Sequence, residues 1–382
     1  MEGNNHRQGS KATTRMVCAA CFLTFSSLWL YCFQADLLTV AQHALSGGLT
    51  HYDRTIGTII ITVVLFVLQL NVYAVTRLSS NTHAMTYAPS FIVLAFLSDI
   101  SVSSSRGVQM GRQWWLLALA AMLWAGAVWT ARQMMPPADS NRQATGLFSA
   151  RTWINLVQMA AMMLFVAAVG NTNAVLHFRA HAETAIMDGD NSEALRVGRE
   201  SLETDSQLTM LRAFALSKEG ALGEKLFCYP IAGSGEALLP MNDKPMLLPP
   251  DTIWRHLGAK PAFPMKAYKY YQLLETDSLA TKAVADYVLC AKLIDRDLGT
   301  FVTMLPRYYN LSSTLPRHYR EALVLYAHKH PGKVAFRDDS LESEWLKMKE
   351  LEKQYPGESQ RRVKMLENYR NTYWRYYKAQ RP

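Results

Sequence analysis

Residues 57–76 read GTIIITVVLFVLQLNVYAVT, with no Asp, Glu, Lys or Arg anywhere in the run. A helix of about 20 residues covers about 30 Å, the thickness of a bilayer's hydrocarbon core, and a helix apolar on every face has no place on the surface of a soluble domain. The run therefore predicts a membrane span. Three further runs, 16–34, 114–131 and 152–170, share its length and its lack of charge, and Trp114, Trp115, Trp129 and Trp153 stand near their ends, where amphipathic rings favour the interface. A fifth segment, 85–102, is shorter and carries Pro89 near its start and Asp99 near its end, so it reads as a kinked crossing or a re-entrant hairpin.

Charge decides between these two. With five spans and the N-terminus inside, Arg7, Lys11, Arg15, Arg77, Arg132, Arg142 and Arg151 face the cytoplasm, against Arg54, Arg106 and Arg112 outside. Dropping the short segment weakens that bias to six against four. The expectation is a basic cytoplasmic N-terminus (1–15), a membrane domain of about five helices (16–170) and an exported C-terminal domain. No small-x-small cleavage pattern follows the first span, so it reads as a signal anchor.

The 382 residues carry a net charge of +9, yet residues 1–170 hold 10 basic and 5 acidic residues and the remainder 30 and 26. Half of the excess thus borders the spans, where it orients them, and nucleic acid is not an expected partner. Cys18, Cys21 and Cys32 lie in or beside one span. Cys228 and Cys290 alone could pair in an aqueous domain, and the sequence leaves that pairing open.

After residue 170 the pattern becomes paired amphipathic helices. His177, Ala180, Thr184 and Met187 mark one face and Ala194, Val197, Gly198 and Leu202 the next; a second pair follows, Leu208, Leu211, Ala215 and Leu216 before the turn and Leu222, Leu226 and Phe227 after it. The turn glycines Gly189 and Gly220 stand 31 residues apart, close to the tetratricopeptide period. Residues 230–264 hold ten prolines and glycines and read as an irregular insertion. Helices resume over Ala267–Leu274, Leu279–Ile294, Leu298–Tyr309 and Pro316–His330. The predicted fold is all-α: a polytopic helical membrane domain, a tetratricopeptide-like α-solenoid (171–340), and a basic, aromatic helical tail (341–382) interrupted at Pro356-Gly357.

Three stretches, Tyr87-Ala88-Pro89-Ser90-Phe91, LIDRDLGTFVTML (293–305) and LPRHYREAL (315–323), resemble an uncharacterised family of Bacteroidetes membrane proteins. That family joins a multi-span N-terminal half to tetratricopeptide-like helices. The resemblance implies architecture and an envelope location, and no activity. Such bacteria O-glycosylate exported proteins at Asp-Ser/Thr followed by an aliphatic residue, Met or Thr. Three such sites fall in the soluble half and make Thr252, Ser278 and Ser340 candidate acceptors.

Few motifs carry chemistry. The polar residues inside the spans, Gln69, Asn71, Asn155 and Gln158, are amides suited to bridging helices; the lack of charge beside them argues against a transport path. His177 and His181 have metal-like spacing without a third ligand, and Asp188-x-Asp190-x-Ser192 lacks a calcium loop's glycine and closing Glu. Gly233-Ser234-Gly235 is too short for a phosphate loop, and Ser103, Ser104 and Ser105 have no His and acid partners. No catalytic, cofactor-binding or metal residue can be named. Arg317, His318 and Tyr319, following Pro316, suit capping and inter-repeat packing, with a partner contact as the alternative. Residues 345–382 hold ten basic and four acidic residues interleaved with aromatics, a helix that buries its rings or meets anionic lipid or an acidic partner. The functional expectation is a scaffold of the inner membrane whose periplasmic helical domain holds a protein partner; the alternative is an accessory or catalytic subunit in envelope glycan or lipid handling.

Overall fold

The computed structural model describes residues 2–103, 107–133, 149–241, 244–311, 315–334 and 336–379, with side chains from residue 12 onward. Ser104, Ser105, Arg106 and Arg142 lie outside these residues, as do the side chains of Arg7 and Lys11. The chain divides into two compact units, Met1–Asn173 and Ala174–Pro382.

In the first unit, α1 (Glu2–Leu28) passes through a π-helical turn (Trp29–Gln34) into α2 (Ala35–Ser46) without leaving helical backbone. The span expected to end at Gln34 is therefore corrected: its helix runs on to Ser46, and Asp36, in the first turn of α2, pairs with Arg54 at 2.8 Å. α3 (Arg54–Thr76) starts where Asp53 accepts from Ile56 N at 2.7 Å. Ala12–Ser46, Arg54–Thr76, Trp114–Gln133 and Ala150–Val169 are long and apolar enough to cross a membrane, and they mark the chain as a membrane protein. Ile59, Ile60, Val63 and Val64 turn outward from the unit, as a lipid-facing surface requires.

The fifth segment differs from its expected form. A 3-10 turn (His83–Tyr87) leads into α4 (Ala88–Ser98), together roughly 26 Å long by their rise per residue. The helix stops at Ser98 rather than at 102. Asp99 O accepts Gly111 N at 2.9 Å and Asp99 Oδ2 accepts Gln113 N at 2.6 Å, closing a hairpin of β1 (Ile100–Ser103) and β2 (Gly107–Met110) with Ile100 opposite Met110. Gly111 has φ +66°, and a Cβ there would lie 2.4 Å from the Phe96 ring. α5 (Trp114–Gln133) and α6 (Ala150–Val169) complete the unit.

Hydrogen bonds show which way α4 runs. At one end of the bundle Thr14 meets Thr152, Asn155 Oδ1 accepts Ala84 N at 2.7 Å, and Arg132 donates to the last carbonyls of α3. At the other end Trp29 Nε1 donates to Ser98 Oγ at 2.8 Å and Asn171 Nδ2 to Ile100 O at 2.7 Å. Midway, Ser90 Oγ donates to Leu65 O of α3 at 2.7 Å. The short helix thus traverses the bundle antiparallel to α3, and Thr14 and Asn171 lie at opposite ends of the unit.

The second unit comprises α7 (Ala174–Met187), α8 (Asn191–Arg196), α9 (Ser206–Lys218), α10 (Leu222–Lys225), α11 (Pro250–Leu257), α12 (Ala267–Thr276), α13 (Lys282–Ile294), α14 (Leu298–Tyr308), α15 (Arg317–Lys329), α16 (Asp339–Gln354), α17 (Glu358–Tyr369) and α18 (Tyr373–Lys378). They share one apolar core, from Ala182 to Trp374. Three expectations change. α8 ends at Arg196, leaving Val197, Gly198 and Leu202 in a loop, because Gly198 takes φ +59° over the Phe178 ring. The proline-rich insertion contains α11, which Pro250 starts from the first helical position, where its missing N–H costs nothing. The tail breaks twice, after Gln354 and after Tyr369.

Candidate functional site

The intramembrane amides divide in role. Asn155 Nδ2 donates to Ser80 O at 2.9 Å and Arg151 O at 2.9 Å while its Oδ1 takes Ala84 N, so one buried side chain fixes the turn that enters α4. Gln69 Nε2 donates to Thr86 Oγ1 at 2.9 Å, tying α3 to the same turn. Among the described residues Asn71 bonds only within its own helix, to Val67 O, and Gln158 Oε1 is buried without a hydrogen-bond partner. Bridging thus rests on Asn155 and Gln69.

In the second unit the family-like cluster is a buried ionic network. Glu321, on α15, accepts Arg317 Nε at 2.8 Å on Oε1 and both His318 Nδ1 at 3.0 Å and Tyr373 N at 2.7 Å on Oε2. Its backbone carbonyl takes Trp374 Nε1 at 2.7 Å. Glu321 and His318 are fully buried. Burial opposes the imidazolium, but the contacts of Cys228 and the Glu321 carboxylate outweigh it and raise the His318 pKa to about 9. Phe227 N stands 3.3 Å from Nε2, an approach that suits a neutral ring; the shorter carboxylate contact on Nδ1 outweighs it. For Glu321, burial alone would raise the pKa, but His318, Arg317 and Tyr373 N hold it below the usual carboxylate range.

This geometry corrects the partner-contact alternative for two of the three residues. His318 and Tyr319 have no exposed surface, Tyr319 OH donating to Asp286 Oδ1 at 2.8 Å, so both act in packing. Arg317 alone reaches solvent, bridging Glu321 to Glu344. Glu321 escaped the sequence reading although its i+3 and i+4 spacing to His318 and Arg317 was visible.

A groove of about 760 Å³ opens where the end of α9, α11 and the start of α13 converge. Lys218, Arg255 and Lys282 line it together with Asp286, whose Oδ1 accepts the Tyr309 and Tyr319 hydroxyls, and among the described residues no carboxylate pairs with the three cations. Within it Ser217 Oγ lies 2.8 Å from His256 Nε2, a pair separated by 39 positions that no motif announced. Burial, then the charge of Lys218, lowers the His256 pKa to about 4, so the ring is neutral at pH 7. Of the O-glycosylation candidates, Thr252 lies on this groove's lining and is half-buried; Ser278 and Ser340 are exposed.

His181 Nε2 meets Glu193 at 3.5 Å, and among the described residues no group of three His, Cys, Asp or Glu could hold a metal. Asp190 caps α8 by accepting Glu193 N at 2.9 Å, so the calcium-like spacing is a helix start. Cys228 and Cys290 are free thiols, Cys290 buried against Tyr319 OH. Glu183, beside the two histidines in sequence, accepts Met246, Leu247 and Leu248 N–H groups and pins the proline-rich insertion to α7.

Residues 265–380 match a family of unknown function, DUF6057. The matched part takes in α12 to α18, the whole of the Glu321 carboxylate's set of donors, and the Lys282 side of the groove. No curated protein and no solved structure matches the chain.

Proposed function

We propose that this protein is a membrane-anchored scaffold of the cell envelope, whose tetratricopeptide-like unit holds an acidic, extended segment of a partner protein in the groove between α9, α11 and α13. The carrying observation is the groove itself. It is open to solvent, as a peptide site must be, and among the described residues its cations Lys218, Arg255 and Lys282 pair with no carboxylate, the acid on its lining, Asp286, being taken up by the hydroxyls of Tyr309 and Tyr319. Helix-pair stacking around one core supplies the rigid wall that such a groove needs.

For sidedness we read the second unit as periplasmic and the membrane as the inner one. The traverse of α4 supports five crossings, which leave Asn171 on the side opposite Thr14, and the positive-inside bias puts that side outside.

The test is a photo-crosslinking amino acid at position 282 of the full chain in its native membrane. A reproducible adduct, lost when Lys218 and Arg255 are both changed to Glu, is the expected result. Adducts that survive the charge reversal would remove the acidic-segment reading.

A second reading, an enzymatic role in glycan or lipid handling, draws on the Ser217–His256 pair. A fluorophosphonate probe that labels Ser217 in the wild type and leaves His256→Ala unlabelled would favour it.

A further inference from the structure

Helices α16, α17 and α18 leave a second cavity, of about 380 Å³, between them and the loop that follows α8. Its size suits a small molecule. The walls are of two kinds: Leu202 and Met365 supply apolar surface, whereas Arg361, Arg362 and Arg375 present guanidinium groups. Leu202 is a large apolar side chain that the fold leaves 55% exposed at this cavity.

Two acids also line it and both are engaged: Glu352 takes Lys378 Nζ at 2.5 Å and Lys349 Nζ at 3.3 Å, and Glu358 is likewise partnered. Arg375 is in the opposite condition. Its Nε donates to Arg370 O at 3.1 Å, and among the described residues no carboxylate pairs with it. Arg370, its like-charged neighbour, is held in place by Glu200 at 2.7 Å and by Arg199 O at 2.9 Å, so the repulsion cannot relax by movement of that side chain. Burial first, and then the charge of Arg370, pushes the Arg375 pKa below its ordinary value. A half-buried cation beside a second cation is stabilised by an anion, and planar guanidinium groups match phosphate oxygens in pairs.

We propose that this cavity binds an amphiphilic anion, a phosphate-ester head against Arg361, Arg362 and Arg375 with its apolar body against Leu202 and Met365. The site is separate from the α9–α11–α13 groove and stands whether or not a protein occupies that groove. A bilayer phospholipid and a soluble phosphate ester share this chemistry.

The experiment uses the full chain in uncharged detergent and titration calorimetry with dihexanoyl phosphatidic acid, dihexanoyl phosphatidylcholine and inorganic phosphate. The expected result is saturable binding of phosphatidic acid at one site per chain, at least about tenfold tighter than inorganic phosphate, with none for the zwitterion. Arg375→Gln and the exposed-site variant Arg362→Gln should each weaken it about tenfold. Arg362→Gln keeps the test decisive if Arg375→Gln fails to fold. Reconstitution into phosphatidylcholine vesicles, with and without long-chain phosphatidic acid, then names the source: the bilayer lipid competes with the short-chain probe if the membrane supplies the ligand, and leaves it bound if the ligand is soluble. Equal affinity for inorganic phosphate, or undiminished binding in Arg362→Gln, would overturn the proposal.

Discussion

Replacing Glu321 by Gln removes a charge and nothing else in volume, yet it should free the C-terminal helix. The carboxylate serves three donors, Arg317 Nε, His318 Nδ1 and Tyr373 N, while fully buried. An amide has a single acceptor oxygen, and its NH2 must then face one of those donors. Arg317 keeps Glu344 and is 39% exposed, so its share is screened and small. His318 keeps only the longer contact to Cys228 Sγ at 4.0 Å, and among the described residues Tyr373 N has no second acceptor. A lost charge-assisted hydrogen bond costs about 1.5–3 kcal/mol and an unpaired buried charge about 3–5 kcal/mol, so about 3 kcal/mol is the expected loss in the docking of α18. That is about a 100-fold rise in its open population. Hydrogen exchange by mass spectrometry on the full chain in detergent reads this directly: the peptide over 373–378 should lose about two decades of protection, while one over Leu208–Leu216 in α9 keeps its own. Unchanged exchange at 373–378 would refute the anchoring role. An equal loss in α9 would refute its locality.

The same exchange, corrected for intrinsic rates, carries a pH signature. His318, raised from 6.5 to about 9, contributes fully below about pH 6.5 and loses its share as pH climbs through 9, whereas Glu321, held below 4.5, contributes above that value and loses its share under acid; protection of α18 should therefore be greatest near pH 5–6.5 and decline toward pH 9, and a flat profile would count against the charged ring. Gly258 has φ +140°, and a Cβ there would stand 2.0 Å from Leu279 O. Gly258→Ala should cost more than about 3 kcal/mol and lower the melting temperature of the C-terminal unit by roughly 6–12 °C, and a melt matching the wild type would show that the turn adapts. Asn155→Leu strands Ala84 N at a cost of about 1–3 kcal/mol, so a cysteine placed at Asn81 should react with maleimide roughly tenfold faster in that background; an equal rate would mean that Asn155 does not hold the turn. Alkaline phosphatase fused after Pro382 should be active and a green fluorescent protein fusion dark, because the former needs an oxidising compartment; the reverse pair would place the second unit in the cytoplasm.

The membrane helices were legible because their signal is local. A run of 20 uncharged residues has few other fates, and α3 differs from its predicted 57–76 only by its capped first turn. Breaks set by tertiary partners were illegible. The first helix runs past Gln34 to Ser46, and Asp36, just beyond the apolar run, pairs with Arg54, 18 positions away, a contact that no local pattern announces. Residues 100–102 read as the end of a helix, and the bonds from Asp99 to Gly111 and Gln113 turned them into a strand. The candidate sites follow the same division. The ionic network lies on one helix turn and was half visible as Arg317 and His318, with Glu321 hidden only by its ordinariness as a helix residue. Ser217 and His256 belong to different helices, so no spacing in the chain announces them. The cavity around Arg375 likewise depends on how α16, α17 and α18 close together.

The π turn at Trp29–Gln34 makes the first helix tolerant of a deletion at that one place. Such a turn holds one residue more than the α turn it replaces and takes it up by widening, without adding rotation. Removing one residue of this stretch would let α1 and α2 fuse into a uniform α-helix with α2 facing as it does now. Leu37, Leu38 and Val40 would keep their cover, and Asp36 its reach to Arg54. A residue lost from the middle of α3, which is α-helical throughout, would instead turn everything after it by about 100°. A codon lost within the π turn would therefore do less harm than one lost from its neighbour.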